Sequence, residues 1–182
     1  FISTGSDSKG LEAKAEALYQ LSLDDLKMSK DNSIIANNLQ LILKKYPNFS
    51  KNKDAAYLAA RLFTLDKNHT KSKGVYEWLI KTKSQDYLND AFWGMGWSEY
   101  MLENYEQAIN YFSTLERSNK IYYQAKGLYW KARSLEKIGD IQRARNIFTK
   151  LFDNYKVGYY PYLASIKLGI KPKSKEEYLL SK

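Results

Sequence analysis

A repeated pattern of small and aromatic residues constrains this chain more than any other feature. Residues 92–112 align with residues 128–148 at an offset of 36. Small or aromatic residues fall in register in the pairs Gly96/Ala132, Ala108/Ala144 and Phe112/Phe148. Within each copy the apolar residues recur three or four positions apart, which is the spacing of one helix face. A unit of this length predicts pairs of antiparallel helices packed in series.

The apolar stripes are too long for β-strands, whose usual length is about 5–6 residues. We therefore expect a chain that is helical along its whole length, with no long flexible linker. The predicted helices lie near residues 11–29, 33–45, 54–65, 72–82, 87–102, 105–116, 121–138, 140–154, 161–168 and 175–181.

Local signals mark several of these helix boundaries. Pro161 suits the first turn of a helix, where its missing N–H is not needed. Gly169 suits the left-handed conformation that ends a helix. Ser174 and Glu177 have the spacing of a capping box, in which each side chain binds a free backbone amide of the first turn. Short turns between antiparallel helices are predicted at two dipeptides, Gly139-Asp140 and Glu103-Asn104.

The repeated unit resembles the tetratricopeptide repeat (TPR), a helical hairpin of about 34 residues. Core positions of that family are matched by Gly96, Ala108, Phe112, Ala132, Gly139, Ala144 and Phe148. Glu99 and Leu135 stand where the family favours tyrosine, and Lys131 stands where it favours leucine, so the units are divergent. The resemblance implies an all-α fold, an α-α superhelix (solenoid) of divergent TPR-like helical hairpins.

We expect a single TPR-like array over residues 1–182, because each repeat buries its apolar face only against its neighbours. The clearest repeats are 87–118 and 121–155, and the terminal helices 161–168 and 175–181 follow them. The repeat pattern is weaker in the hairpins that precede residue 87.

A narrower resemblance covers residues 86–169. The stretches 127–140 (GLYWKARSLEKIGD) and 158–169 (GYYPYLASIKLG) are similar to the helical region of soluble lytic murein transglycosylases. That resemblance implies a non-catalytic scaffold that guides peptidoglycan strands or positions a downstream lysozyme-like catalytic domain. The glutamate motif of such a domain does not occur here, so the catalytic domain is expected to be absent from this chain and no catalytic residue is carried over.

The same resemblance implies a periplasmic or cell-envelope location, with a signal peptide removed or lying outside these 182 residues. The longest uncharged stretch is 157–166. About 20 apolar residues are needed to span a bilayer, so we predict no transmembrane segment.

The residue types exclude several kinds of chemistry. The chain has no cysteine, and therefore neither a disulfide nor a thiolate metal site. Its one histidine, His69, cannot supply a multi-histidine metal cage and is interpreted as a polar loop residue. The adjacent acids Asp24-Asp25 and Glu176-Glu177 point in different directions on a helix and are interpreted as structural, solvated side chains. We predict no catalytic residue, no cofactor and no metal.

The charge is positive and unevenly distributed. The net charge is +9, from 29 Lys and Arg against 20 Asp and Glu. Residues 101–182 contain 15 basic and 8 acidic side chains, so they carry +7 of it. An excess of this kind indicates either an anionic partner or solubility alone. Because no nucleic-acid-binding motif accompanies it, we predict no nucleic-acid partner.

Clustered aromatic residues in this basic half are the candidate contacts for a glycan or a protein partner. With the cations beside them, the candidates are Tyr122, Tyr123, Lys126, Trp130, Arg133, Tyr159, Tyr160 and Tyr162. Aromatic faces can stack on sugar rings, but the same rings can instead pack between hairpins with the hydroxyl at the edge.

The sequence leaves two functions open. One is the non-catalytic scaffold of a periplasmic lytic transglycosylase. The alternative is a TPR-type protein-protein interaction adaptor of the bacterial cell envelope, whose concave face holds a partner peptide or helix. The expected partners are accordingly peptidoglycan glycan strands or a protein.

Overall fold

The computed structural model describes residues 4–155 and 158–171. Within these ranges every regular element is an α-helix, and nine helices follow one another along the chain. The predicted all-α class of consecutive TPR-like hairpins is confirmed. The chain forms two compact units, Phe1–Ser98 and Glu99–Lys182, and each is described separately. The single array over the whole chain stays a prediction.

The first unit contains four complete helices and most of a fifth. Their bounds are α1 Thr4–Lys27, α2 Asn32–Lys45, α3 Asn52–Leu65, α4 His69–Lys81 and α5 Leu88–Met101. Consecutive helices pack on each other, α1 on α2, α2 on α3 and α3 on α4. The core of α2 shows why: Ile35, Leu39 and Ile42 lie one or two turns apart on one face, and all are fully buried.

The second unit begins at the end of α5 and contains four more helices. Their bounds are α6 Tyr105–Leu115, α7 Ile121–Lys137, α8 Ile141–Asn154 and α9 Tyr159–Leu168. Here α6 packs on α7, α7 on α8 and α8 on α9, and α9 also returns to α7. The small and aromatic residues that define the repeat are buried in this core, at Ala108, Phe112, Ala132, Ala144 and Phe148.

Two glycines permit close helix packing. A β-carbon on Gly127 would stand 2.7 Å from both the Leu115 β-carbon and the Phe112 carbonyl oxygen, so α7 and α6 approach closely there. A β-carbon on Gly94 would overlap the ring of Tyr76. Gly94 therefore permits a close approach of the Tyr76 ring.

The helix-end signals are confirmed wherever the structure describes them. Pro161 lies in the first turn of α9, and Gly169 ends that helix at a φ of +74°. Gly139 adopts a φ of +82°, and the side chain of Asp140 caps α8 by accepting from the backbone amide of Arg143. The predicted helix 175–181, with its capping box at Ser174 and Glu177, lies outside the described residues.

Most predicted boundaries agree with the structure to within two residues, but two helices begin earlier. The first helix begins at Thr4 rather than at residue 11, with Gly10 inside it. A helical glycine costs about 1 kcal/mol relative to alanine and need not end a helix that packing supports. The fourth begins at His69 rather than at residue 72, because Asn68 caps it. None of the described helices is long and apolar enough to cross a membrane.

Candidate functional site

Four of the eight candidate residues lie along one face of α7. Tyr122, Lys126, Trp130 and Arg133 follow one another at intervals of four, four and three residues, which repeat on the same side of a helix. None of the four is fully buried, and Tyr122 exposes 57% of its surface. Tyr123 lies beside Tyr122, with the two ring centroids 5.4 Å apart. The helix therefore presents these side chains together.

The three candidates on α9 lie in its first turn, and Tyr160 joins that helix to α7. The Tyr160 ring lies 5.3 Å from Tyr159, 6.0 Å from Tyr122 and 5.7 Å from Tyr129. Only 9% of Tyr160 is exposed, whereas Tyr159 is 53% exposed. Tyr160 thus serves packing, and it fixes the exposed rings of Tyr122 and Tyr159 near each other. Tyr162 is half-buried.

Burial raises the pKa of the Tyr160 phenol well above its usual range, and the neighbouring Tyr122 raises that pKa further. A phenol with a raised pKa keeps its proton, so Tyr160 stays neutral at physiological pH. This residue is a hydrogen-bonding element of the core between α7 and α9, not a group that acts as an acid or a base there.

Three cations lie over rings of this cluster. The Lys126 ammonium is 5.5 Å from the centroid of Tyr122, and the Lys120 ammonium is 6.0 Å from that of Tyr123. The Arg133 guanidinium lies 6.0 Å from Trp130. Such cation–π contacts contribute about 0.5–1 kcal/mol each when exposed. We call the set Tyr122, Tyr123, Trp130, Tyr159, Lys120 and Lys126 the α7–α9 aromatic face.

The fold uses the charge of Arg133. Its Nε lies 2.8 Å from a carboxylate oxygen of Glu136, and Lys167 of α9 lies 3.0 Å from the same oxygen. Its Nη1 donates to the Tyr129 hydroxyl over 3.4 Å. Arg133 is therefore engaged within α7, and the pair of Glu136 with Lys167 joins α7 to α9.

Two tyrosines that were not among the predicted site residues extend this cluster at the start of the unit. Tyr100, near the end of α5, packs edge-on against Trp130 at 5.3 Å and against Tyr105 at 5.3 Å. The Lys137 ammonium lies 6.0 Å from the Tyr105 ring. The predicted turn between residues 102 and 105 could have indicated this contact. Such a turn places the end of one helix beside the start of the next, and Tyr100 and Tyr105 lie at those two positions.

The first unit contains an aromatic cluster of its own, which no sequence pattern indicated. The rings of Tyr57 on α3 and Tyr87 before α5 are stacked with centroids 4.6 Å apart. The Tyr87 hydroxyl donates to Asp54, and the Arg61 guanidinium lies 5.7 Å from the Tyr57 ring. The hydrogen bond to Asp54, together with burial, raises the pKa of Tyr87 well above its usual range. These contacts fasten the segment before α5 onto α3.

The interpretation of His69 as a polar loop residue is wrong. His69 is the first residue of α4 and only 8% of its surface is exposed. Neither ring nitrogen has a hydrogen-bond partner among the described residues, and burial lowers the pKa of the imidazole. The polar residues around it suggested a loop, but Asn68 caps a helix there and turns the next residue inward. No group of three or more His, Cys, Asp or Glu within 4–155 and 158–171 could hold a metal ion.

The interpretation of the pair Asp24-Asp25 as solvated is correct for only one member. Asp24 is exposed and lies 2.9 Å from the Lys27 ammonium. Asp25 is only 7% exposed, and its carboxylate is 2.7 Å from the Lys30 ammonium. Neighbouring residues on a helix face different directions, which is why one of the two is buried. The second pair, Glu176-Glu177, lies outside the described residues.

Comparisons with known proteins agree with the hairpins seen here. The family model described as "Tetratricopeptide repeat" matches residues 90–118 and 126–156. Among solved structures, the "MamA RS-1 ArsTM double mutant" has a similar fold, with a TM-score of 0.64 and 10% sequence identity. The similarity covers 85% of this chain and 84% of that chain. No curated protein matches the sequence. The two matched repeats and the similar fold support a TPR-like repeat protein.

Proposed function

We propose that this chain is a non-catalytic adaptor that binds a protein partner through the α7–α9 aromatic face. TPR arrays bind other proteins along surfaces built from successive repeats, and two residues of this face, Lys126 and Trp130, lie within a matched repeat. The observation that carries the proposal is the pair of exposed rings, Tyr122 and Tyr159, both held by contacts with the buried ring of Tyr160.

The fixed position of these rings favours binding. Tyr122 contacts Tyr123 at 5.4 Å as well as Tyr160 at 6.0 Å, so its ring has little freedom left to lose. A side chain that is ordered before binding adds little to the entropic cost of association. Tyrosine and tryptophan are also the residues that most often dominate the binding energy of protein interfaces.

The charges beside the rings favour a partner segment that carries acidic residues. Lys120 and Lys126 lie at the rings, and Lys131 and Lys150 both lie within 4 Å of the single acid Glu116. Because two lysines share this one acid, one positive charge is left over there and attracts negative charge on a partner. Complementary charge mainly speeds encounter and selects among partners.

Site-specific crosslinking from the face tests the proposal. A photoreactive amino acid in place of Tyr122 is expected to crosslink one protein of the native host, whereas the same group at Gln142 on α8 is not. The crosslinked protein is then purified and titrated against this chain by calorimetry. Failure of the purified protein to bind, or equal crosslinking from both positions, would overturn the proposal.

A second candidate function is the scaffold of a lytic transglycosylase, which the resemblance of residues 127–140 and 158–169 suggested. The exposed rings of Tyr122 and Tyr159, with Lys126 beside them, suit the stacking of sugar rings in an anionic glycan. Neither the repeat match nor the structural neighbour supports this link. A cell-envelope location belongs to the same proposal. Purified peptidoglycan sacculi should pull this chain down in a sedimentation assay, and absence of co-sedimentation would rule the scaffold out.

A further inference from the structure

The first unit contains a cleft that no step of the proposed function uses. It lies between the early turns of α1 and the loop that joins α2 to α3, and its volume is about 410 Å³. Its apolar lining comes from Leu11 on one side and from Tyr46, Pro47 and Phe49 on the other. Binding pockets for small molecules usually have volumes of about 300–1,000 Å³ and a mostly apolar lining.

The loop that forms one wall of this cleft is held in a fixed shape. The side-chain amide of Asn52 donates to the carbonyl oxygen of Tyr46 over 2.7 Å and to that of Pro47 over 2.9 Å. Asn52 is only 5% exposed, so both hydrogen bonds are shielded from water. Phe49 is 4% exposed and packs edge-on against Tyr19 of α1, with ring centroids 6.0 Å apart.

The opposite wall is fastened to the same loop by two polar contacts. Glu12 on α1 accepts from the Ser50 hydroxyl over 2.6 Å and from the Ser50 backbone amide over 3.3 Å. One turn further along α1, Glu16 pairs with Lys51 over 2.6 Å. These contacts join the two walls of the cleft.

The polar groups at the cleft show what kind of ligand it suits. Lys9 and Lys45 line it, and neither has an acidic partner among the described residues. Glu12 also lines the cleft, but its carboxylate is already engaged by Ser50. The result is an apolar space whose lining contains two lysines and one carboxylate, a net charge of +1. We infer that this cleft binds a small apolar carboxylate, with the hydrocarbon between Leu11 and Phe49 and the anion near the lysines.

Three eight-carbon probes of matched size test both halves of this inference. Octanoate, octanol and octylammonium are each titrated into the isotope-labelled full chain and followed by nuclear magnetic resonance. Octanoate should shift the backbone signals of residues 8–12 and 45–50, octanol should bind about tenfold more weakly, and octylammonium weaker still. Equal binding of all three probes, or octanoate shifts centred elsewhere, would overturn the inference.

Two sources supply such a carboxylate, a free acid and the C-terminal residue of a peptide. A further binding experiment distinguishes them. A short peptide ending in leucine is compared with the same peptide carrying a C-terminal amide. A free acid as ligand predicts binding of octanoate alone, whereas a C-terminal residue predicts binding of the free-carboxyl peptide but not of the amide. Failure of both octanoate and the free-carboxyl peptide would contradict the inference.

Matched variants locate the site. Leu11→Glu places a charge in the apolar part of the cleft and should abolish octanoate binding, whereas Leu21→Glu, also at an exposed position of α1, should not. The double variant K9E/K45E should weaken octanoate about tenfold, while K14E/K53E makes the same change of net charge at exposed lysines outside the cleft. Equal effects of a variant and its control would show that the site lies elsewhere.

Discussion

Gly127 on α7 lies so close to Leu115 on α6 that a β-carbon built on the glycine would stand 2.7 Å from the leucine β-carbon. Real β-carbons essentially never approach that closely, so the packing of these two helices requires glycine. Because Gly127 lies one turn before Trp130 on α7, this close approach also sets how the aromatic residues of α7 are presented.

Replacement of Gly127 by alanine should therefore destabilise the protein. Overpacking of a tight contact typically costs about 1–3 kcal/mol, which here outweighs the gain from a better helix former. The free energy of unfolding, measured by urea denaturation, reports the change. Gly74→Ala in α4 is the matched control, because its β-carbon would meet nothing within 4 Å, and it should stabilise by about 0.5–1 kcal/mol. A Gly127→Ala variant as stable as the wild type would contradict the packing described here.

The buried His69 should make stability depend on pH. Burial lowers the pKa of its imidazole, so the unfolded chain binds a proton more readily than the folded one. The free energy of unfolding that depends on His69 is constant above the ordinary histidine pKa of 6.5. It decreases as the pH falls below that value. A His69→Leu variant should lose this part of the pH dependence, and at neutral pH it should be as stable as the wild type or more so, because no unpartnered polar atom remains buried.

Thermal unfolding of the wild type and His69→Leu between pH 5 and 8 measures this contribution, since the difference between the two curves removes the effects of other groups. The difference should widen in the acidic direction. Parallel curves would show that the imidazole is not excluded from water when the protein is folded.

The cap of α8 predicts a loss of stability at a lower pH than the loss expected from His69. A hydrogen bond from the Arg143 side chain, with another from its backbone amide, lowers the pKa of Asp140. A lowered carboxyl pKa contributes stability above the ordinary value of 3.8, and this contribution is lost as the pH falls through the folded-state pKa. Asp140→Ala should lower the melting temperature at pH 7, while Asp153→Ala, an exposed acid in the same helix, should leave it nearly unchanged. Similar losses from both variants would point to net charge and not to the cap.

The helices and their order could be predicted from the sequence because packing imposes a visible period. The repeat placed Ala108 and Ala144 at equivalent positions, and both are buried where hairpins meet. Gly139 and Gly169 were predictable as helix ends because their left-handed conformations favour glycine for a local steric reason. The candidate face on α7 was predictable for the same reason as the core, since residues three or four apart share one side.

Features that depend on contacts between distant residues could not be predicted. Nothing near His69 in the sequence shows that its ring is buried, because that depends on how α4 packs. The stack of Tyr57 on Tyr87 joins positions 30 residues apart that no repeat relates. The cleft beside α1 depends on Asn52, whose side chain bonds to a loop five and six residues before it. Single polar residues of this kind leave no periodic signal.

Calorimetric titration of the protein crosslinked from position 122 tests the proposed adaptor function most directly. The double variant Y122S/Y159S should weaken its binding about thirtyfold or more, which corresponds to about 2 kcal/mol for an interface hot spot. The control I138A/I141A removes two exposed apolar side chains, one just after α7 and one at the start of α8, and should bind like the wild type. Unchanged affinity of Y122S/Y159S, with both variants folded, would contradict a partner-binding role for the α7–α9 aromatic face.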